Sequence, residues 1–194
     1  MDEFKSIIVK RGKYDWELEV INPTQLELIG KGAQGAVFKL SEERCVKIYL
    51  KENYYISERD ALKAAKDSQI VPKMYEAGSN YIVMEYIKGQ SLEEYLNLYG
   101  FFPEPIVRQI LYVFQEMKRV GFKRIDARLR HMFLTDEGVI KVIDHVKALS
   151  SGLPYPYKFL KGLSKRNLLD SFLEQVKKID SKQYSEWKNV ISKL

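Results

Sequence analysis

The sequence predicts an α+β fold in which an antiparallel sheet is gathered early in the chain and helices dominate later. Short runs rich in Val, Ile, Tyr and Phe, punctuated by Gly-containing turns, fill residues 26–49 and recur at 81–87. A long amphipathic pattern covers residues 104–120, and two further helical stretches close the chain at about 164–178 and 181–192. With 194 residues and 45% apolar content, the chain can bury a sizeable core, as one compact unit or as two small lobes around a cleft. The strand-to-helix shift divides it into residues 1–87, with an N-terminal extension at 1–26, and residues 88–194.

Each element has a local reason. Phe4 to Val9 and Tyr14 to Ile21, separated by Arg11-Gly12-Lys13, read as a strand pair or an added flap. Leu26–Ile29, Ala36–Leu40 and Cys45–Tyr49 read as three strands of an antiparallel meander, joined by a glycine-rich turn and by Ser41-Glu42-Glu43-Arg44. Ser57-Glu58-Arg59-Asp60 opens an alanine-rich helix to about Asp67, with Pro72 beyond its end. Tyr81–Ile87 is a strand closed by Lys88-Gly89. Ser91 can cap a helix with Glu93 and Glu94 in its first turn, where the helix dipole favours carboxylates. Ile106, Ile110, Leu111, Phe114 and Met117 take core spacing on the helix after Pro103. Met132–Leu134 and Val139–Ile143 flank Thr135-Asp136-Glu137-Gly138, a hairpin turn.

Charge and composition narrow the function classes. The start lacks the basic-then-apolar pattern of a signal peptide, and no apolar run approaches the roughly 18 residues of a membrane helix. A cytoplasmic location with no membrane role is expected. Cys45 is the single cysteine, which excludes an internal disulfide and any multi-cysteine metal site. The net charge is +6, and residues 158–194 hold nine Lys or Arg against four Asp or Glu. A second basic run, Lys118, Arg119, Lys123, Arg124, Arg128 and Arg130, surrounds Asp126. Such runs serve as solvated surface or as a face for an acidic partner or nucleic acid, although no nucleic-acid reading motif is present.

Chemistry-bearing residues follow in a fixed order. Gly30, Gly32 and Gly35 allow close backbone approach to phosphate oxygens, and a hairpin tip often requires positive φ. Strand alternation places Cys45, Lys47 and Tyr49 on one face and Val46, Ile48 and Leu50 on the other. Glu58 follows Lys47 by eleven residues, at the expected helix start. Asp126 lies in a loop among arginines, and Asp144 ends an apolar strand eighteen residues later. Taken singly, each has a plainer reading: a tight turn, a surface lysine, a first-turn dipole residue, a loop ion pair and a turn cap. Their order carries the argument.

Over roughly residues 26–150 that order resembles the protein-kinase-like superfamily, and among its branches the small atypical kinases of the Rio and lipopolysaccharide-kinase type, including YrzF-like bacterial serine/threonine kinases. The resemblance implies a bilobal protein-kinase-like fold with an antiparallel N-lobe sheet and a reduced helical C-lobe. It also implies ATP and Mg2+ as cofactors. Gly30, Gly32 and Gly35 would cover the phosphates, with Val37 over the adenine and Cys45 beside it. Lys47 would hold the α and β phosphates and Glu58 would orient it. Glu85 and Ile87 would present hinge backbone groups to adenine, and Met84 would limit the depth of the pocket. Asp126 would receive the proton of the acceptor hydroxyl, Arg128 would stabilise the phosphoryl group, and Asp144 would hold the metal.

Four departures stand out. His131 occupies the place of a metal-binding asparagine, and imidazole suits Mn2+ better than Mg2+. His145 and Val146 replace Phe and Gly of the Asp-Phe-Gly motif, and Ile125 replaces the arginine that couples to a phosphorylated activation segment. No Ala-Pro-Glu follows, and Leu153-Pro154-Tyr155-Pro156-Tyr157 reads as a rigid aromatic connector. The expected activity is γ-phosphate transfer from ATP to a hydroxyl, first a protein serine or threonine. A sugar kinase and a pseudokinase acting as a nucleotide-responsive interaction module are the alternatives.

Overall fold

The computed structural model describes residues 3–14 and 17–191. Asp15 and Trp16, within the second expected strand run, and residue 192 of the last expected helix lie outside the described residues. The chain divides into two compact units. The first runs to Ile87 and includes His145–Lys147; the second comprises Lys88–Asp144 and the residues from Ala148 onward.

In the first unit a short 3-10 turn at Glu3–Ser6 precedes an antiparallel hairpin, β1 (Ile8–Arg11) and β2 (Leu18–Ile21), with Ile8 opposite Ile21 and Arg11 opposite Leu18. The strand pair expected at the N-terminus is therefore present. β3 (Leu28–Gly32), β4 (Gly35–Lys39) and β5 (Arg44–Tyr49) form the expected meander. They continue into β7 (Tyr81–Glu85) and β6 (Met74–Ala77), giving a five-stranded antiparallel sheet in the order β3-β4-β5-β7-β6. Its core face carries Ala36, Phe38, Val46, Ile48 and Val83, which pack with Phe4, Ile7 and Leu18 from the N-terminal segment.

Two local expectations are corrected here. The helix α1 spans Glu52–Ala64, starting five residues before Ser57, so Glu58 sits in mid-helix and not in the first turn. Asn53-Tyr54-Tyr55-Ile56 has weak intrinsic helix propensity, but Tyr55 is buried edge-on against Tyr49, ring centroids 6.0 Å apart. Tertiary packing overrides propensity. β6 was not expected, because an edge strand with three exposed residues has no apolar alternation to reveal it.

The second unit contains a three-stranded antiparallel sheet, β10-β9-β8, formed by β8 (Gly89–Ser91), β9 (Met132–Thr135) and β10 (Ile140–Val142). β9 and β10 are the expected hairpin; β8 is too short to be read from sequence. Gly89 has φ 139°, and a Cβ there would collide with the Leu134 carbonyl, so β8 approaches β9 as only glycine allows. α2 (Leu92–Tyr99) begins with a capping box: the Ser91 hydroxyl accepts from the Glu94 N–H, and the Glu94 carboxylate accepts from the Ser91 N–H at 2.8 Å. α3 (Glu104–Arg119) buries Ile106, Ile110, Leu111, Phe114 and Met117 as its period requires.

The aromatic connector is only partly a connector, since α4 (Tyr157–Ser164) starts within it. Prolines at 154 and 156 hid that start, although a proline just before a helix is favourable. α5 (Leu169–Ile179) begins five residues later than expected because Asn167 takes φ 57° and breaks the helical path after α4. α6 (Ser181–Ile191) returns Trp187 to an aromatic core with Phe114, Phe159 and Phe172. Centroid separations of 5.3–6.2 Å suit edge and offset aromatic pairing.

Hydrogen bonds from the Ser91 hydroxyl and N–H hold the Glu94 carboxyl below its usual range. Its contribution to stability is therefore present above the unfolded carboxyl value and is lost as pH falls through the lower folded one. Ser91→Ala should lower unfolding free energy by about 1 kcal/mol at pH 7 in urea denaturation. The deficit should shrink once Glu94 is protonated in acid.

Candidate functional site

The glycine-rich segment is the β3–β4 hairpin itself. Gly30 pairs with Val37, Lys31 with Ala36 and Gly32 with Gly35, leaving Ala33-Gln34 at the tip. None of these three glycines has positive φ, contrary to that sequence expectation, because the two-residue tip is made by other residues. Their reasons differ. A Cβ on Gly35 would run into the Ile48 carbonyl, so β5 requires glycine there. Gly32 has nothing within 4 Å of a Cβ position, and Gly30 would meet only Val37 at 3.6 Å. The backbone at Gly32 is thus bare on an open side.

Across the sheet, Val37 pairs with Lys47, which pairs with Ile82, while Lys39 pairs with Cys45, which pairs with Met84. Alternation therefore places Val37, Cys45 and Lys47 on the face opposite the Phe38, Val46 and Ile48 core. Cys45 is 6% exposed and its thiol points to the Glu85 carbonyl at 3.6 Å. Burial, with a smaller push from Glu85, drives its pKa up to about 12 despite nearby Lys47. At the end of β7, the Glu85 N–H donates to the Lys73 carbonyl and its carboxylate accepts the Lys73 N–H at 3.0 Å. Ile87, half-buried, ends the continuous part of the first unit.

Lys47 and Glu58 meet. The Lys47 ammonium lies 2.5 Å from Glu58 Oε2, with side-chain exposures of 12% and 2%. The Tyr49 hydroxyl donates to the same oxygen at 2.9 Å, and the His145 N–H donates to Oε1 at 3.0 Å. A buried carboxylate is tolerable only when its lone pairs are occupied, and three donors here occupy them. Sequence reasoning did not assign roles to Tyr49 or the His145 amide. Strand alternation already placed Tyr49 on the Lys47 face; the His145 contact spans 87 residues and left no local signal.

In the second unit, Asp126 sits in the extended stretch between α3 and the 3-10 turn Leu129–His131. The stretch is pinned by the Phe122 N–H to the Met117 carbonyl, by the Lys123 and Arg124 N–H groups to the Ala148 carbonyl, and by buried Ile125 and Leu129. The Asp126 side chain is 4% exposed. Its Oδ1 accepts the backbone N–H of Lys158 at 2.5 Å, and its Oδ2 lies 2.9 Å from the Lys158 ammonium. Lys158 is a residue sequence reasoning missed. Arg128 is exposed, with no ion-pair partner for its guanidinium among the described residues.

Asp144 follows β10 with φ 67°, an unusual conformation for a residue bearing a side chain, and its carboxylate is 34% exposed. His131 Nδ1 stands 3.9 Å from Asp144 Oδ2, beyond hydrogen-bond reach, and His131 Nε2 accepts from Arg130 Nε at 3.2 Å. No cluster of three or more His, Cys, Asp or Glu side chains suited to a metal occurs among the described residues. Asp144 is a hard oxygen donor of the kind Mg2+ takes in ones and twos when phosphates complete its shell.

An antiparallel sheet whose strand lysine meets a helix glutamate precedes a helical unit carrying the loop and strand-end aspartates, and over this stretch the chain is similar to proteins named as serine/threonine-protein kinases. Over 125 residues it is 30% identical to "Putative serine/threonine-protein kinase YrzF" of Bacillus subtilis (strain 168), covering 62% of this chain and 58% of that protein. It is also 32% identical over 95 residues to human serine/threonine-protein kinase greatwall and 30% identical to its Xenopus tropicalis counterpart, in each case over 45% of this chain and 11% of the relative. The chain thus spans somewhat more than half of one relative and about a ninth of the others. No family model matches it.

Two measurements check this geometry. Lys47→Ala strips the cation from a buried carboxylate and should destabilise the fold by about 3 kcal/mol in chemical denaturation. Lys47→Met combined with Glu58→Gln should cost less than the two single changes summed, because the pair is coupled. Cys45 should react with a thiol reagent at pH 8 about a thousand-fold more slowly than a free thiol, since so little of it is thiolate; unfolding in denaturant should abolish the difference.

Proposed function

We propose that this chain is an ATP-dependent phosphotransferase that moves the γ-phosphate of ATP to a hydroxyl, with a protein serine or threonine as acceptor. The observation that carries this reading is the buried Lys47–Glu58 pair, held by Tyr49 and the His145 amide. A lysine and a glutamate at that cost in desolvation need a reason, and a fixed ammonium for nucleotide phosphates supplies one.

In this reading residues 1–87 form a nucleotide lobe and 88–194 a transfer lobe. The bare backbone at Gly30 and Gly32 would accommodate phosphate oxygens, Val37, Cys45 and Met84 would border the adenine, and the Glu85 and Ile87 backbone would hydrogen-bond it. Asp144 would hold Mg2+, or Mn2+, which when bound neutralises phosphate charge. His131, 3.9 Å from Asp144 Oδ2 through Nδ1, would be the second metal contact in this reading, and better suited to Mn2+. The acceptor oxygen forms a bond to the γ-phosphorus as the bond to the β-phosphate oxygen breaks. Its electron pair leaves with ADP. The hydroxyl proton passes to Asp126, and exposed Arg128 offers charge to the phosphoryl oxygens. The excess of basic residues after 158 would suit an acidic acceptor or, through salt-dependent contacts, a nucleic acid.

The test is transfer of label from γ-labelled ATP, with Mg2+ or Mn2+, to the protein itself and to a generic basic protein. Wild type should label, and Asp126→Ala should lower the rate on the order of a hundred-fold to ten-thousand-fold. Nucleotide binding without transfer under either metal would instead assign a pseudokinase, the reading that His131, His145 and Val146 favour. Transfer to a sugar and not to protein would assign a small-molecule kinase.

A further inference from the structure

We infer that Lys158 is a positioning residue for phosphoryl transfer, fixing the Asp126 carboxylate through its backbone and its side chain at once; the inference rests on the phosphotransferase reading. Lys158 is the second residue of α4, and α4 has no side-chain cap of its own, because Pro156 occupies the cap position. The Lys158 N–H, one of the orphan donors of the helix start, is satisfied by Asp126 Oδ1 across 32 residues of sequence. A carboxylate at a helix N-terminus is also favoured by the dipole. Those contacts alone would make Asp126 a cap and nothing more.

The ammonium adds a different constraint. It reaches back from the same residue to the other oxygen, Oδ2, at 2.9 Å, while remaining 36% exposed against 4% for the carboxylate. One donor on each oxygen removes rotation of the carboxylate about its last bond. A carboxylate has about four lone-pair sites, so two stay open for an acceptor hydroxyl. Holding a proton acceptor in one orientation is worth rate, because misplacement by about 1 Å can cost roughly a hundred-fold.

The experiment compares wild type with Lys158→Met and Lys158→Arg in the full chain. Both variants keep the backbone N–H on Oδ1 and so keep the helix cap. Lys158→Met should lower kcat about ten- to a hundred-fold with the KM for ATP and the affinity for ATP unchanged. Lys158→Arg, which retains a cation on a long stem, should recover most of the loss. Unchanged kcat in Lys158→Met beside an active wild type overturns the inference and leaves the phosphotransferase reading intact. A loss that Arg does not rescue, accompanied by weaker ATP binding, reassigns Lys158 to a structural role and also overturns it. No transfer from wild type fails the phosphotransferase reading, and the positioning role falls with it.

Discussion

The carboxylate of Glu58 is the point on which the first unit turns. It is 1% exposed, lies beside an ammonium, and is shielded from the water that would otherwise solvate it. Burying such a charge is tolerated only where every lone pair that matters is met, and the donors come from three places in the chain: β5 supplies Lys47 and Tyr49, and the segment after Asp144 supplies the His145 amide. α1 must lie where it does for Glu58 to receive them. Tyr55, one turn earlier on that helix, packs against the ring of Tyr49, so the apolar and polar contacts fix the helix at neighbouring points. Replacing a buried ion pair by well-packed hydrophobic residues is often neutral or stabilising.

The second unit solves a related problem by another route. Its loop aspartate side chain is 4% exposed, and its Oδ1 and Oδ2 are met by the backbone and the side chain of a single residue at the start of α4. Backbone and side chain of Lys158 approach different oxygens, so the geometry of one residue determines the orientation of the carboxylate. The aromatic cluster of Phe114, Phe159, Phe172 and Trp187 holds α4 against α3 and α5, which makes the N-terminus of α4 a fixed platform. Hydrophobic packing of Phe159 thus sits beside the polar contact of Lys158, both in the first turn of that short helix.

Much of this was legible before any coordinates. The β3–β5 meander, the capped α2, the amphipathic α3 and the β9–β10 hairpin all announce themselves through period and turn chemistry, and the Lys47–Glu58 pairing follows from the family resemblance. What escaped was of two kinds. β6, β8 and the start of α4 lack a local pattern: an exposed edge, a three-residue strand and a helix opening among prolines. The Lys158–Asp126 and His145–Glu58 contacts are long-range, and one of the donors in each is a backbone amide, which no side-chain motif can reveal. In the sequence Lys158 reads as part of a basic tail, whereas its neighbour in space is the loop aspartate.

The left-handed backbone at Asp144 bears on how this position can change over generations. Among residues with side chains, aspartate and asparagine are among the few that adopt that conformation readily, since their short polar groups compensate the crowding of Cβ. Glutamate, equal in charge and in donor chemistry, meets a backbone penalty before its carboxylate is even considered. Drift from Asp144 is thereby channelled toward asparagine or glycine, which keep the turn but lose the charge. The same geometry that accepts loss of the charge resists its replacement by the longer acid.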